Sequence, residues 1–117
     1  MMHRFTLGAI GIAQGNDEVF SDFSEGGDMW IGEGERVRRK LIVFDEPFRS
    51  PPVVHVGISL WDVNQKSNLR ADISADAITK TGFDMVFQTW GDSKIARIRM
   101  NWIAFGELRY SDDWDVR

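Results

Sequence analysis

Apolar and polar residues alternate with a period of two over much of the second half of the chain. Three sets of apolar residues occupy every second position: Val54, Val56, Ile58 and Leu60; Leu69, Ala71, Ile73, Ala75 and Ala77; and Ala96, Ile98, Met100, Trp102 and Ala104. This alternation is typical of strands that bury one face and expose the other. It indicates β-structure, because a helix would repeat its apolar positions every three or four residues.

Turn-forming residues divide the chain into six predicted strands. Pro47, Pro51 and Pro52 exclude a helix before the third strand, while Gly82 and Gly91 mark turns after the fourth and fifth. The strands are predicted at about 5–13, 37–44, 53–61, 69–78, 83–90 and 95–105. The last three are expected to form an antiparallel meander. Short strands at this spacing predict an all-β fold, either a six-stranded antiparallel β-sandwich or a small barrel.

The first third of the chain carries three further expectations. In the second strand, Val37, Leu41 and Val43 are predicted to face inward, interrupted by Arg39. The segment 15–34 is rich in glycine and acidic residues and is predicted to be a loop. No segment is a good candidate for a helix.

Composition limits the class of function. A chain of 117 residues fits one domain, and its net charge of -4 gives no reason to expect a nucleic acid or an anionic membrane as partner. The absence of cysteine excludes disulfides, thiolate catalysis and cysteine-based zinc sites. The apolar stretch before Gln14 is too short for a membrane span and lacks a convincing signal-peptide cleavage site. The expected location is therefore cytoplasmic, or outside the cell by a non-classical route.

Several motifs occur in order between residues 44 and 105. They are Ser50–Val56, Trp61–Val63 with Asn68–Arg70, Ile78–Asp84 with Thr89, Trp90 and Lys94, and Trp102–Ala104. Together they resemble the H-type lectin domain family. The resemblance implies one domain over residues 1–117, with its best-matched core at 44–105 and a polar tail at 106–117. It also implies a six-stranded antiparallel β-sandwich that assembles as a homo-oligomer, a trimer or a hexamer.

The resemblance further implies a calcium-independent site, with no cofactor, for a glycan ending in N-acetylgalactosamine or a galactose-type sugar, located between protomers. In such a site Arg70 would donate to sugar hydroxyls, and Trp90 would contribute an aromatic surface. Alternation places Trp90 opposite the inward face of its strand, although it could also cover the core edge, and Arg70 could be a solvated surface residue. Glu33 falls where the family has an aspartate, with Asp28 and Glu35 as alternatives if the loop is shifted.

Two positions depart from the family pattern. Gly91 stands where a snail lectin of the family has histidine, and Ala96 stands where the family has a tyrosine that contacts the sugar. Both changes remove contact surface, which leaves open whether N-acetylgalactosamine is the preferred sugar. Asp92 or Ser93 could supply replacement polar contacts.

Polar residues on the outward faces of the third and sixth strands suggest a subunit interface. His55, Gly57, Arg97, Arg99 and Asn101 share these faces by alternation. In the family these faces meet across a three-fold axis, and clustered His55 side chains would make assembly sensitive to pH. Plain solvent exposure is the alternative.

Three other functions compete with glycan binding. A β-sandwich trimer with a reduced sugar pocket could dock onto another protein. The basic run Arg36–Lys40 could bind nucleic acid, although the chain is acidic overall. Catalysis is not expected, because no nucleophile elbow, phosphate-binding glycine loop or positioned carboxylate pair is present.

Overall fold

The computed structural model describes residues 1–5 and 8–109, and its strands form two antiparallel sheets that pack face to face. The elements in chain order are β1 (Ile10–Ser21), α1 (Asp28–Ile31), β2 (Arg36–Val43), β3 (Val53–Val63), β4 (Asp72–Asp76), β5 (Gly82–Thr89) and β6 (Ile95–Glu107). The first sheet has the strand order β1-β6-β3, and the second has the order β2-β5-β4. The predicted six-stranded β-sandwich is therefore confirmed.

An aromatic core lies between the two sheets. The inward face of β5 contributes Phe83 and Phe87, and that of β6 contributes Trp102. Phe87 meets Phe20 of β1 at a ring-centroid distance of 5.5 Å, and Phe83 meets Trp102 at the same distance. Burial of one large apolar side chain contributes roughly 1.5–3 kcal/mol, so this cluster accounts for much of the force that holds the sheets together.

Five of the six predicted strands are found within a few residues of their expected bounds, although β4 is shorter than predicted. The predicted bounds of the first strand are wrong, because β1 runs from Ile10 to Ser21 and includes residues 15–21 of the predicted loop. Gly15, predicted to lie in the loop, belongs to the strand. A Cβ atom on Gly15 would lie 2.5 Å from the indole nitrogen of Trp102, so this position has no room for a side chain. The remaining loop, 22–35, contains α1, a single helical turn that the pattern did not predict.

The predicted meander of the last three strands is wrong. β4 and β5 pair as a hairpin, but β6 crosses to the first sheet, where it lies between β1 and β3. The alternation in β6 correctly identified its buried face but not its neighbours. The strand extends to Glu107, into the predicted polar tail, and residues 110–117 of that tail lie outside the described residues.

The predicted orientation of β2 is also wrong. Leu41 is 67% exposed, as is Val43, whereas Ile42 is 7% exposed and packs in the core. The inward side of β2 also carries Arg38, whose guanidinium lies 5.3 Å from the ring centre of Phe20. Long cationic side chains can occupy such positions at an edge strand, because the stem covers apolar surface while the charged end meets a partner.

A β-bulge changes the facing of β3 near its end. Ile58 pairs with Met100, but Leu60 pairs with Arg99, so Ser59 is the extra residue. Leu60 therefore leaves the inward row predicted for it. Beyond the bulge Trp61 is exposed at the side of the sandwich.

Candidate functional site

Three loops meet at one end of the sandwich, which we call the loop end. They are residues 22–35, 64–71 and 90–94, and they join strands of different sheets or lead into the β4–β5 hairpin. The sequence-predicted site residues Glu33, Arg70, Trp90, Gly91 and Asp92 all belong to these loops. The fold therefore brings together residues that are up to 59 positions apart in the chain.

Arg70 and Gly91 are in close proximity. A Cβ atom on Gly91 would lie 3.2 Å from Nε of Arg70, so the arginine side chain crosses directly over the glycine. Gly91 has a φ of +70°, in the left-handed region that side-chain-bearing residues rarely adopt. The glycine expected to be a loss of contact surface thus forms the turn and gives Arg70 its space.

Hydrogen bonds hold the backbone of the 68–70 segment against the 90–94 loop. The Ser93 hydroxyl accepts the Arg70 N–H at 2.8 Å and donates to the Asn68 carbonyl, while the Thr89 hydroxyl donates to the Arg70 carbonyl. Ser93 is buried, and both bonds occupy its hydroxyl, so it does not supply a replacement sugar contact. Its role is to position Arg70.

Asp92 lies at the exposed rim of the same loop. Its carboxylate accepts weak hydrogen bonds of 3.4 Å from the backbone N–H and the side-chain amide of Asn68. The Asn68 N–H, supported by the positive charge of Arg70, holds the pKa of Asp92 below its ordinary value. The loop end therefore presents a guanidinium and a carboxylate side by side.

Glu33 reaches this site through the backbone of its own loop. The N–H of Gly34 donates to the Gly91 carbonyl at 2.9 Å, which fixes the Glu33 turn beside the Arg70 loop. Among the described residues, the carboxylate of Glu33 has no hydrogen-bond partner, and the same is true of Glu35. The remaining alternative, Asp28, forms an ion pair with Arg38 and is therefore already engaged.

Trp90 projects from the outward side of the sheet, as its alternation predicts. Its neighbour Thr89 is buried, whereas Trp90 is 39% exposed directly after the last residue of β5. It directly precedes Gly91, over which the Arg70 side chain crosses. For a ligand that spans this segment, the exposed indole offers an apolar face and the Arg70 guanidinium offers hydrogen-bond donors.

Arg36 is a functional residue that sequence reasoning missed. Its side chain is 6% exposed and donates to the carbonyls of Gly34 at 2.9 Å, of Asp28 and Met29 at 3.2 Å each, and of Gly91 at 3.3 Å. Four carbonyls from two loops converge on one fixed, forked donor. Arg36 therefore ties the Glu33 loop to the Gly91 loop.

The basic run that begins at Arg36 is largely engaged within the protein. Arg38 binds Asp22 at 2.9 Å as well as Asp28, and Arg39 binds Asp76 and Asp84 on the outward face of the second sheet. Lys40 donates to the Glu18 carbonyl. These pairings leave little of the run's charge for phosphates, which weakens the nucleic-acid interpretation.

Phe23 stands beside Ala96, where the resemblance implies a lost apolar contact. Ala96 is buried, and its carbonyl accepts the N–H groups of Asp22 and Phe23. The ring of Phe23 is 61% exposed and contacts Trp30 edge-to-face at 5.0 Å. No sequence signal indicates this position, because Phe23 lies more than 70 residues from Ala96 in the chain.

An open depression of about 780 Å³ lies on the outward face of the first sheet. Its lining includes the polar side chains of Gln14, Asn16, His55, Ser59 and Asn101. The pairing of His55 with Ile103, and of Gly57 with Asn101, confirms that these residues share one face. The site residues at the loop end do not line this depression.

Within residues 1–5 and 8–109, no group of three or more histidine, aspartate or glutamate side chains is arranged to hold a metal ion. The described part of the chain also has no helix long and apolar enough to cross a membrane.

Comparisons with known proteins show a family and a fold that this chain shares. A family model of the H-type lectin domain matches residues 39–105. A protein of Fuscovulum blasticum named "ATP synthase subunits region ORF 7" is 50% identical over 111 residues, which cover 94% of this chain and 96% of that protein. Discoidin-2 of Dictyostelium discoideum is 28% identical over 74 residues, which cover 62% of this chain and 29% of discoidin-2.

Solved structures of discoidin II from Dictyostelium discoideum share the fold. The wild-type structure matches with a TM-score of 0.73 at 22% identity, covering 85% of this chain and 37% of discoidin II. The native recombinant structure matches with a TM-score of 0.72, also at 22% identity, covering 86% and 38% respectively. The chain thus spans less than two fifths of the discoidins that it matches, and almost all of the Fuscovulum protein.

Proposed function

Because this chain belongs to the H-type lectin domain family, we propose that it is a non-catalytic module that binds glycans. Membership of the family supports carbohydrate binding in general. The finer proposal is that Glu33, Arg70, Trp90, Gly91 and Asp92 form the sugar site at the loop end. The ligand class is a glycan that ends in N-acetylgalactosamine or another galactose-type sugar, bound without calcium or a cofactor.

The observation that carries the proposal is that charged groups near Gly91 have no hydrogen-bond partners among the described residues and are available to a ligand. Among the described residues, the Arg70 guanidinium donates no hydrogen bond, and the Glu33 carboxylate accepts none. Charge-assisted hydrogen bonds are strong enough to compete with the hydration of sugar hydroxyls. The exposed ring of Trp90 supplies the apolar surface that the C–H face of a sugar requires.

All five residues of the proposed site are exposed within one protomer, which leaves room for a neighbouring copy to complete it. We propose that the outward face of the first sheet mediates assembly into a trimer or a hexamer. Its middle rows are polar and hydrogen-bonding, with Asn16 opposite Asn101 and Gln14 opposite Ile103. Presentation of several weak sites on one oligomer would raise the apparent affinity for a multivalent glycan surface.

The proposed site is tested by two substitutions with matched controls. We expect Trp90→Ala and Arg70→Ala each to abolish binding on a glycan array while leaving the oligomer intact in sedimentation. Leu41→Ala and Arg39→Ala are the controls, because both residues lie on the outward face of β2 in the second sheet, away from the proposed site and from the proposed assembly face. Binding by both site variants at the level of the unmodified protein would refute the site, and loss of binding in EDTA would refute calcium independence.

Protein docking is the second candidate function, and one observation favours it. Val37, Leu41 and Val43 are exposed apolar residues on the outward face of β2, with Arg39 between the first two. Exposed apolar surface of this kind often marks a contact with another macromolecule. An oligomer that binds no glycan on a broad array would favour docking over the lectin function.

A further inference from the structure

A hollow at the loop end is separate from the depression on the first sheet. None of the five residues of the proposed sugar site lines it. It has a volume of about 190 Å³ and is lined by Ser21, Phe23, Ser24, Asp62, Ala96 and Arg97. This volume corresponds to about six water molecules and suits one sugar ring better than a longer chain. The hollow is formed within one protomer, where the end of β1 meets the start of β6 and the end of β3.

The sheet register explains why polar groups converge there. Ser21 and Asp62 lie on either side of Arg97, as its partners on β1 and β3. Side chains at paired positions of antiparallel strands project from the same face about 5 Å apart. This row is the last on the outward face of the first sheet, at its margin beside the loops.

The polar side chains that line this hollow have no hydrogen-bond or ion-pair partner in the described part of the chain. Among the described residues, Arg97 and Asp62 form no ion pair although they are cross-strand neighbours, and the hydroxyls of Ser21 and Ser24 form no hydrogen bond. Arg36, Arg38 and Arg39 differ in this respect, because each is bound by carbonyls or carboxylates of the same chain. The hollow therefore combines one donor, one acceptor and two hydroxyls that are available to a ligand.

Phe23 adds an apolar wall to this polar set. Its ring is held from behind by the edge-to-face contact with Trp30, and its backbone N–H is held by the Ala96 carbonyl at 3.3 Å. A ring fixed in this way loses little freedom when a ligand covers it, so less binding energy is lost to ordering.

We propose that this hollow is a second saccharide-binding site, in which Phe23 stacks on the sugar ring while Arg97 and Asp62 bind its hydroxyls. A neutral sugar fits because it has both an apolar face and adjacent hydroxyls. A phosphate would meet the Asp62 carboxylate as well as Arg97, and an apolar ligand would leave the polar groups without partners. The choice of a saccharide rests on the proposed lectin function, whereas the geometry of the hollow does not.

The test separates the two sites by nuclear magnetic resonance of the full chain in its native oligomeric state. Methyl glycosides of galactose, N-acetylgalactosamine, glucose and mannose are titrated into the unmodified protein and into the Trp90→Ala variant. We expect the variant to keep a weak interaction that shifts the amide signals of Phe23, Ser24 and Arg97 and the indole signal of Trp30. Addition of Phe23→Ala or Arg97→Met should weaken this interaction at least tenfold, whereas Leu41→Ala and Arg39→Met should not.

Each outcome separates this proposal from the proposed function. Shifts confined to the Trp90 and Arg70 signals would overturn the second site and leave the lectin function standing. Shifts confined to the Phe23 hollow would support the second site and refute the first. If Phe23→Ala dissociates the oligomer without changing sugar binding, the hollow is a contact between protomers and the proposal is wrong.

Discussion

Replacement of Arg36 by methionine is the sharpest test of how the site is held together. The substitution keeps an unbranched apolar stem but removes the guanidinium, and with it all four hydrogen bonds to the carbonyls of Asp28, Met29, Gly34 and Gly91. The Met29 carbonyl bond is buried, so its acceptor would lose its partner without gaining water. The other three lie nearer the surface, where water can replace the arginine in part.

The expected destabilisation follows from these contacts. A hydrogen bond from a charged donor contributes about 1.5–3 kcal/mol, but the four bonds share one guanidinium, whose own desolvation offsets part of the gain. We therefore expect Arg36→Met to lower the free energy of unfolding by about 3 kcal/mol, the value of one to two such bonds. With a urea dependence of about 2 kcal/mol per molar, the unfolding midpoint would fall by about 1.5 M.

Two measurements check this prediction at a fixed protein concentration, since assembly also affects stability. Urea unfolding gives the midpoint, and sugar titration gives the affinity, which should fall at least tenfold because the Glu33 and Gly91 loops separate. Arg39→Met is the matched control, because its ion pairs with Asp76 and Asp84 are exposed and should contribute little. A midpoint that falls by less than about 0.5 M, or no more than in the control, would refute the role assigned to Arg36.

Three further predictions address the strand orientation, the glycine turn and an acid-sensitive contact. Ile42→Ala should destabilise the protein by about 2–4 kcal/mol in urea unfolding, whereas Leu41→Ala should change stability by less than about 0.5 kcal/mol, and the reverse order would mean that β2 has the opposite orientation. Gly91→Ala should cost about 1–2 kcal/mol for its left-handed φ and should weaken sugar binding by displacing Arg70, so unchanged calorimetric affinity and stability would contradict the turn geometry. Burial raises the pKa of Asp22, but the hydrogen bonds from Arg38 and from the Met29 N–H lower it more, so the net pKa lies below its ordinary value. The carboxylate therefore stabilises the folded protein above the unfolded pKa of about 4, and this contribution is lost as the pH falls below it. Asp22→Asn should therefore be less stable than the parent at pH 7 and lose less stability between pH 5 and 2; parallel unfolding profiles would argue against this contact.

The assembly prediction concerns His55. Its side chain is exposed and lines the depression on the outward face of the first sheet. If this face joins protomers, a permanent charge at this position would repel its copies, so we expect His55→Lys to weaken the oligomer in sedimentation. His55→Gln, which adds no charge, should leave the oligomer intact. An oligomer equally intact in both variants would count against the proposed interface.

The sequence predicted most of what depends on local alternation. In β6, residues from Ala96 to Ala104 are buried at every second position as expected, and the outward position of Trp90 follows from the same rule. The rule fails at glycine, which has no side chain to mark a face, and at arginine and lysine, whose long side chains can be partly buried. The prediction that Gly15 lies in a loop is wrong because the packing of Trp102 against it is not visible in the sequence. The predicted orientation of β2 is wrong because Arg38 and Lys40 can face inward when they bind partners at the edge of the sandwich.

The candidate site divides in the same way. The residue types at positions 33, 70 and 90–92, placed in register with a known family, were sufficient to identify the residues that gather at the loop end. Their arrangement is a tertiary property, because the contacts that create it join distant segments: Arg36 to Gly91, Gly34 to Gly91, and Ser93 to Arg70. The Phe23 hollow has the same origin, since it exists only where three strands end together.

The sequence by itself therefore determined the fold class, the buried faces of the regular strands and the chemical inventory of the site, because each depends on residue type and near-neighbour spacing. Only the tertiary structure decided which sheet β6 joins, which side of β2 faces the core and which charges remain available to a ligand. The physical reason is that a charged side chain is free or engaged according to partners tens of residues away. Among the described residues, the guanidinium groups of Arg70 and Arg97 have no hydrogen-bond partner, whereas that of Arg36 is bound by four carbonyls. Nothing within a few residues of any of them marks that difference.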